Sequence, residues 1–425
     1  MEVDAVQRRT LRLLFLTQII SGIGVAIGAS VGVLLTAEIA GVGVSGLAQS
    51  ANVVGAALFA VPGTAIVNRH GRRPSLAAEY FVATVGAILI VTAAVHRSIP
   101  LLYLGFFLFG GSNAATYQAR YAAVDLAPPV LRGRHLSLVV WATTLGGIVG
   151  PSLAPFAGSA LERYGIPTLA GPFFFSALLF GLTMLVLQLL LRPDPIVVAH
   201  QVTGGSGGVP PVARPGMRHA FHAVRSNQPA RLGVSAMAVG NLVMAAVMTM
   251  TPVHIRNAGH DPEHTLRIVG VVLSFHIAGM FAFAPVMGWL TDRLGRRPVI
   301  FAGIALLLVA CAVAGTAGYH SPRLAVGLTI LGLGWSATVV AGSALLTDSI
   351  SAELRPSAQG LSDLVMGLAG ASAGALSGLV VHQWGYPTLT LLAALATAPL
   401  IALVTLSKTV IARHAVPKQS GGSRA

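Results

Sequence analysis

Apolar residues run along this chain in stretches of about 20, long enough to cross the hydrocarbon of a bilayer as helices, and short clusters of Gly, Pro and Arg separate them. Twelve segments can be read, at roughly 11 to 38, 45 to 67, 75 to 95, 99 to 124, 135 to 160, 167 to 191, 232 to 253, 265 to 290, 298 to 318, 324 to 347, 358 to 381 and 387 to 407. The pattern predicts an all-α, multi-pass membrane protein with twelve transmembrane helices. The first segment follows a basic stretch, as a signal peptide would, but it is too long for a signal's apolar region and reads as a retained helix.

Charge adds a direction to the pattern. Of 425 residues only 9% are charged, and the net charge is +14. A basic balance raises nucleic acid as a partner, but the placement excludes it, because the basic residues sort by side of the bilayer. With a cytoplasmic N-terminus, about 22 of the 27 Lys and Arg fall in cytoplasmic loops and tails, and five, Arg97, Arg163, Arg256, Arg267 and Arg323, fall outside. The positive-inside rule then predicts both termini in the cytoplasm and the chain in the cytoplasmic (inner) membrane. The single cysteine, Cys311, lies mid-span with no disulfide partner and reads as packing.

The second half repeats the first. Asn68-Arg69-His70-Gly71-Arg72-Arg73-Pro74 returns as Asp292-Arg293-Leu294-Gly295-Arg296-Arg297-Pro298, 224 residues later. Asp125 with Arg132 returns as Asp348 with Arg355 at an offset of 223, and Tyr164-Gly165-Ile166-Pro167-Thr168-Leu169 as Trp384-Gly385-Tyr386-Pro387-Thr388-Leu389 at 220. Three ordered matches at nearly one period indicate a tandem duplication of six helices. The predicted units are an N-terminal six-helix bundle at 1–191, a flexible linker rich in Pro, Gly and Arg at 192–231, a C-terminal bundle at 232–407 and a tail at 408–425.

The stretch Gly288-Trp289-Leu290-Thr291-Asp292-Arg293-Leu294-Gly295-Arg296-Arg297 resembles the signature loop of the major facilitator superfamily. The resemblance implies two six-helix bundles that alternate access around a central path. It also implies gating roles for Asn68, Arg69, Arg72, Arg73 and Asp125 and for Asp292, Arg293, Arg296, Arg297 and Asp348, with Arg72 paired to Asp125 and Arg296 to Asp348. The first copy departs from the pattern at Asn68, in place of the acid, and at Thr64, in place of the glycine, so its latch is expected to be the weaker.

Within the fifth segment, Gly146-x-x-x-Gly150-Pro151 resembles an antiporter motif of that superfamily, though Ala154 and Pro155 stand where further glycines would complete it. Close helix packing explains the small residues equally well, and both readings stay open. The arginine expected of proton-coupled exporters is absent at Phe106, while Asn113, Tyr117, Gln118 and Arg120 lie further along the fourth segment. Glu79 and Asp363 fall near segment starts, where they can favour helix N-termini.

The candidate cargo site lies in the seventh and eighth segments, which hold six of the ten methionines. Met244 and Met248, and His276 and Met280, are spaced i, i+4, so each pair shares a helix face. Counted from the outer ends at about 1.5 Å per residue, Met244 lies roughly 14 Å deep and His276 roughly 16 Å. Thioether and neutral imidazole favour a soft ion, copper(I) first, whereas core packing and a proton relay are the plainer roles for the same residue types. The paired motifs resemble those of the CcoA-like copper importers, a branch that also includes riboflavin carriers. His254, His260 and His264 in the following outer loop form a candidate metal entry, with Pro262 set against an ordered turn there.

The expectation is therefore a non-enzymatic secondary carrier, monomeric in the lipid bilayer, that imports copper as its transported substrate and needs no cofactor. The alternative is a proton-coupled carrier of a small organic molecule, either a drug exporter or a riboflavin-like carrier, with protons as the coupling ion.

Overall fold

The computed structural model describes residues 3–128, 131–202, 217–351 and 354–403, and the predicted tail at 408–425 lies outside them. The described residues are helical throughout, with no strand. The first half comprises α1 (Val3–Ala40), α2 (Val42–Ser45), α3 (Leu47–His70), α4 (Arg72–His96), α5 (Ile99–Phe109), α6 (Gly111–Ala122), α7 (Arg132–Ser152), α8 (Ala154–Glu162) and α9 (Gly171–Leu190). After α10 (Pro195–Val202) and α11 (Met217–Ser226) come α12 (Gln228–Arg256), α13 (Pro262–Phe281), α14 (Ala284–Leu294), α15 (Arg296–Gly315), α16 (Ser321–Ser349) and α17 (Arg355–Leu395).

Ten helices among the described residues are long and apolar enough to cross a membrane, and eleven if the α7–α8 pair, bent by 50° just after Pro151, is one span. Pro155, near the start of α8, explains the bend, because it has no N–H for the Pro151 carbonyl and its ring crowds that preceding turn. The eleventh and twelfth predicted segments run together as α17, whose helical backbone is broken at Gly385, φ 82°.

The duplication is visible in backbone geometry. Gly71 and Gly295 adopt φ 99° and 92°, and Gly165 and Gly385 adopt 76° and 82°. These left-handed conformations cost an L side chain energy and cost glycine little, so each repeated motif reverses the chain at its own glycine.

The linker departs from expectation, since α10 and α11 lie within 192–231. Ala220 and Val224, one turn apart on α11, pack into a cluster with Ala230, Val234, Leu346, Ile350 and Ala358 of the second half. The available signal was the i, i+3, i+4, i+7 spacing of Met217, Ala220, Phe221 and Val224, which follows a Gly- and Pro-rich stretch.

Packing within each half depends on close approach. Gly24, Gly28 and Gly32 present one face of α1 to Phe180, Phe173, Phe109 and Phe106, whose rings meet edge to face at 5.2 to 5.8 Å. Gly146 and Gly150 lay α7 directly on the α1 backbone at Ile19, Ile23 and Ile27, which is the helix-packing reading of that motif. Between the halves, Ser50 Oγ donates to the Ala371 carbonyl at 2.7 Å, Ser274 Oγ to that of Ile148 at 2.7 Å, and Arg256 to that of Leu34 at 3.5 Å. These contacts cluster on the side away from the linker. Toward the linker, Tyr117 and Tyr121 of α6 are 49% and 57% exposed.

Gly146→Val should destabilise the protein by about 1–3 kcal/mol through overpacking, whereas Gly367→Ala, with open space at its Cβ position, should be neutral or slightly stabilising. Thermal unfolding of both variants in detergent checks the contrast.

Candidate functional site

Two loops on the linker side carry the repeated charges. At the first, Arg72 Nε and Nη2 meet Asp125 Oδ2 and Oδ1 at 2.8 and 3.0 Å, and Nη1 donates to Gln118 Oε1 at 2.9 Å. Gln118 in turn donates to the Thr64 hydroxyl at 3.2 Å. At the second, Arg296 Nε meets Asp348 at 2.9 Å, and Asp292 lies 3.6 Å from Arg296 within its own loop. Arg293 lies over the Trp289 ring at 5.2 Å. Arg69 is exposed, Arg73 and Arg297 are half-buried, and the Asn68 side chain is outside the described set.

The expected ranking of the two latches is reversed. The first pair is bidentate and its side chains are 12% and 11% exposed, against 32% and 54% for Arg296 and Asp348. Thr64, the departure from the motif's glycine, is what lets Gln118 bridge α3 to the arginine. Asp194 supplies an acid near the place where Asn68 lacks one: its Oδ2 accepts from the Arg73 backbone N–H at 2.8 Å and its Oδ1 from that of Ile196 at 3.1 Å. A carboxylate there satisfies an orphan donor of α4 and complements the helix dipole. Asp194 was hidden from sequence because it lies 121 residues from its partner.

The four cargo candidates are held differently from one another. His276 is fully buried, and its Nδ1 lies 2.7 Å from the Leu328 carbonyl of α16. Because a carbonyl only accepts, Nδ1 carries the hydrogen and Nε2 the lone pair. Nε2 is enclosed with no hydrogen-bond partner, sulfur included, among the described residues. Met280 is also buried, and the α13 backbone at His276 and Met280 lies against Gly332 of α16. Met244 and Met248 are half-buried on α12, Met248 against the main apolar core. The polar contacts of methionine fall elsewhere, with Ser362 Oγ donating to Met237 Sδ at 3.6 Å and Ser45 Oγ to Met250 Sδ at 3.9 Å.

An amide and aromatic group that sequence reasoning passed over occupies the same level. Trp335 Nε1 donates to Asn241 Oδ1 at 3.0 Å, Asn241 Nδ2 donates to the Met366 carbonyl at 2.9 Å, and Phe281 meets the Trp335 ring edge-on at 5.5 Å. Asn241 packs on Gly370 of α17, and Gln49 of α3 packs one turn away on Gly374. Asn52, one turn along α3 from Gln49, accepts from Asn113 at 3.2 Å. Asn241 of the second half and Gln49 of the first thus lie on one face of α17. The available signal was Asn241, a polar residue within a long apolar run and three residues before Met244. Of the polar residues of the fourth segment, Gln118 belongs to the gate, and Tyr117 lies under the Arg120 guanidinium at 5.1 Å.

His254 lies not in the outer loop but in the last turn of α12, where its Nε2 is bound to the Gly318 carbonyl at 2.7 Å and its ring is stacked between Tyr386 and Tyr319 at 4.3 and 5.0 Å. That ring is a structural plug rather than an entry ligand. Pro262 starts α13 instead of disrupting it, and Asp261 caps the helix by accepting from the His264 N–H at 2.9 Å. That bond holds the Asp261 carboxyl below the usual carboxylate range. The His260 and His264 rings are 4.8 Å apart, but no group of three or more His, Cys, Asp or Glu able to hold a metal is found among the described residues.

A sequence profile described as Major Facilitator Superfamily matches residues 14–266 and 260–424. The chain belongs to this superfamily. It is 36% identical over 406 residues to the uncharacterized MFS-type transporter YdeG of Bacillus subtilis (strain 168), covering 94% of this chain and 92% of that protein. To the riboflavin transporter RfnT of Brucella anthropi it is 25% identical over 351 residues, covering 83% and 82%. Its fold matches a bacterial homologue of the human lysosomal transporter Spinster with a TM-score of 0.73 at 15% identity, over 97% of this chain and 99% of that one. A superfamily member is a membrane transporter rather than an enzyme. The copper-importer branch implied by the quartet is not represented among these relatives.

Asp125→Asn should cost about 3 kcal/mol, because it leaves a largely buried guanidinium without its counter-charge, while Asp348→Asn at the exposed latch should cost under about 1 kcal/mol. Asp194→Ala should cost about 1 kcal/mol through loss of the cap. Unfolding curves for the three variants check the order.

Proposed function

We propose that the protein is a secondary carrier that moves a small planar organic molecule by alternating access between its two halves. The observation that carries this reading is that Asn241, bonded to Trp335, meets Gln49 of the other half on one face of α17, with Phe281 against the Trp335 ring and the Asn52–Asn113 pair one turn along α3 from Gln49. Such a group offers amide donors and acceptors in the plane of a ring and aromatic surface beside it, which is the usual make-up of an organic-ligand site. The kinship with a riboflavin transporter supports a planar heteroaromatic cargo.

In this proposal the chain has twelve spans, with α7 and α8 forming one and α17 divided into two at Gly385. The positive-inside rule puts both termini and the linker in the cytoplasm. The conformation described is then inward-open, since the halves meet on the side remote from the linker. Rocking about the central group would open that seal and bring the linker ends together. The Arg72–Asp125 and Arg296–Asp348 pairs brace each half as it turns.

Copper import remains a second reading on one observation. His276 donates through Nδ1 to a backbone carbonyl and keeps a free Nε2 lone pair, the arrangement typical of a metal-ligating histidine, with Met280 one turn away. Import would require the Met244 and Met248 sulfurs to approach that nitrogen as access alternates.

Riboflavin and copper uptake by cells expressing equal amounts of each variant separate the two. Asn241→Ala and Trp335→Phe should each lower riboflavin uptake about tenfold, the loss expected of one buried hydrogen bond, and leave cellular copper unchanged. Riboflavin uptake at the wild-type rate in both variants overturns the organic-cargo reading. A fall in copper in Met244→Ala and His276→Ala, with riboflavin unaffected, establishes the metal reading instead.

A further inference from the structure

The second turn of α4 buries an acid that neither the latch nor the central group uses. Glu79 is 4% exposed, and neither of its carboxyl oxygens has a hydrogen-bond partner among the described residues. A glycine makes its place, because a Cβ on Gly63 of α3 would occupy the position of Oε1, and Ser75, one turn before Glu79, donates to the Gly63 carbonyl at 2.9 Å. From sequence Glu79 read as support for a helix N-terminus, but it lies seven residues beyond Arg72, the first residue of α4. At about 1.5 Å per residue that is roughly 10 Å into the helix, too far to act on its terminus. An ionised carboxylate enclosed without donors has lost its hydration and gained nothing, whereas the neutral acid pays little for the same position.

The groups around it give that proton a consequence. Arg72 and Glu79 share one face of α4 at i and i+7, and Arg72 is the cation within electrostatic range. On α4 itself the neighbouring Tyr80 is engaged by Gln18 of α1, which donates to its hydroxyl at 3.0 Å. From α3 come Thr64, beside the Gly63 notch, and Arg69 and His70 at the helix end. From α6, whose Gly111 packs on the Glu79 backbone, come Gln118, Tyr117 and Arg120, with Asp125 just beyond. Thr64, Gln118, Arg72 and Asp125 are already joined by hydrogen bonds of 2.8 to 3.2 Å. The acid therefore sits at the inner end of the latch network, with a single glycine-wide contact separating it from Thr64.

We propose that Glu79 is a proton-binding site whose charge sets the Arg72–Asp125 latch and so couples proton movement to the change of access. With Oε protonated, Arg72 is left to Asp125, the arrangement described here. When Glu79 releases that proton to water, its negative charge competes for Arg72, draws the guanidinium along α4 and loosens the hold on Asp125 and Gln118. One proton is taken up or released in each switch, and no other bond is made or broken. The inference rests on the alternating-access reading and not on the identity of the cargo.

The test uses full-length protein in lipid nanodiscs without cargo. Infrared difference spectra between acid and alkaline pH should show the C=O band of a buried protonated carboxyl that disappears in Glu79→Gln and persists in Asp363→Asn. Spin labels at Arg9→Cys on α1 and Met217→Cys on α11, which packs against the second half, are both at exposed positions and should report a pH-dependent distance in the wild-type background and a pH-independent one with Glu79→Gln. Glu79→Asp keeps an acid but withdraws it by one methylene, and should shift the midpoint of both signals by about one pH unit; it serves if the glutamine variant does not fold. A band and distance change that survive Glu79→Gln, or a midpoint unmoved in Glu79→Asp, overturn the proposal. Because no cargo is present, failure of riboflavin uptake leaves these outcomes unaffected, and their failure leaves the uptake assay intact.

Discussion

Close approach of helix backbones is the constraint on which the rest of the protein depends. Lipid tails are as apolar as leucine, so there is little hydrophobic gain in bringing two spans together, and dispersion and interhelical hydrogen bonds must hold them. Both interactions need short distances. Gly22 faces Gly146, Gly233 faces Gly342, Gly270 lies on Pro151 and Gly332 on the backbone of His276 and Met280. Some of these contacts hold one half together. Others, Gly46 against Gly374 and Gly378 against Val42 and Gly43, join the two halves. The same small residues that stabilise each bundle provide a seam along which the bundles can part, because a seam of glycine and serine has few interlocking side chains to disengage.

Charge is handled in the opposite way, concentrated where the spans end. The first loop shows how a degenerate copy of a motif is rebuilt from parts far away in sequence. Where the second copy has Asp292, the first has Asn68, and the chain brings Asp194 from beyond α9 to cap α4. Where the second has Gly288, the first has Thr64, which joins Gln118 and through it Arg72. The outcome is a latch that is more enclosed and better bonded than the one closer to the consensus. It also ties the start of the linker to the same helix end, so that movement of the linker and movement of the loop are mechanically linked.

Much of the architecture was legible because the bilayer imposes strict rules. Segment length, the sorting of arginine and the doubled Gly71 and Gly295 loops follow from one-dimensional patterns with direct physical causes. The pairing of Arg72 with Asp125 and Arg296 with Asp348 could be anticipated because the loop resembles the superfamily's signature loop, and the duplication repeats both partners at offsets of 224 and 223. The helix α11 was passed over although Met217, Ala220, Phe221 and Val224 have i, i+3, i+4, i+7 spacing, because the Gly- and Pro-rich residues before it dominate the composition of 192–231. The role of His254 was not legible, since the residue type raised metal chemistry and the surroundings, two tyrosine rings and a carbonyl, made it a structural plug.

Apolar spans, an internal repeat, a one-sided distribution of arginine and the residue types able to act at the centre could all be read along the chain, because each depends on composition or spacing along one line. Only the tertiary structure decided which of those residues meet. His276 turned toward α16, Asn241 joined Trp335, Asp194 reached α4, and Glu79 was enclosed behind Gly63, since helix rotation and packing, which set the direction of every side chain, depend on contacts among residues far apart in the chain.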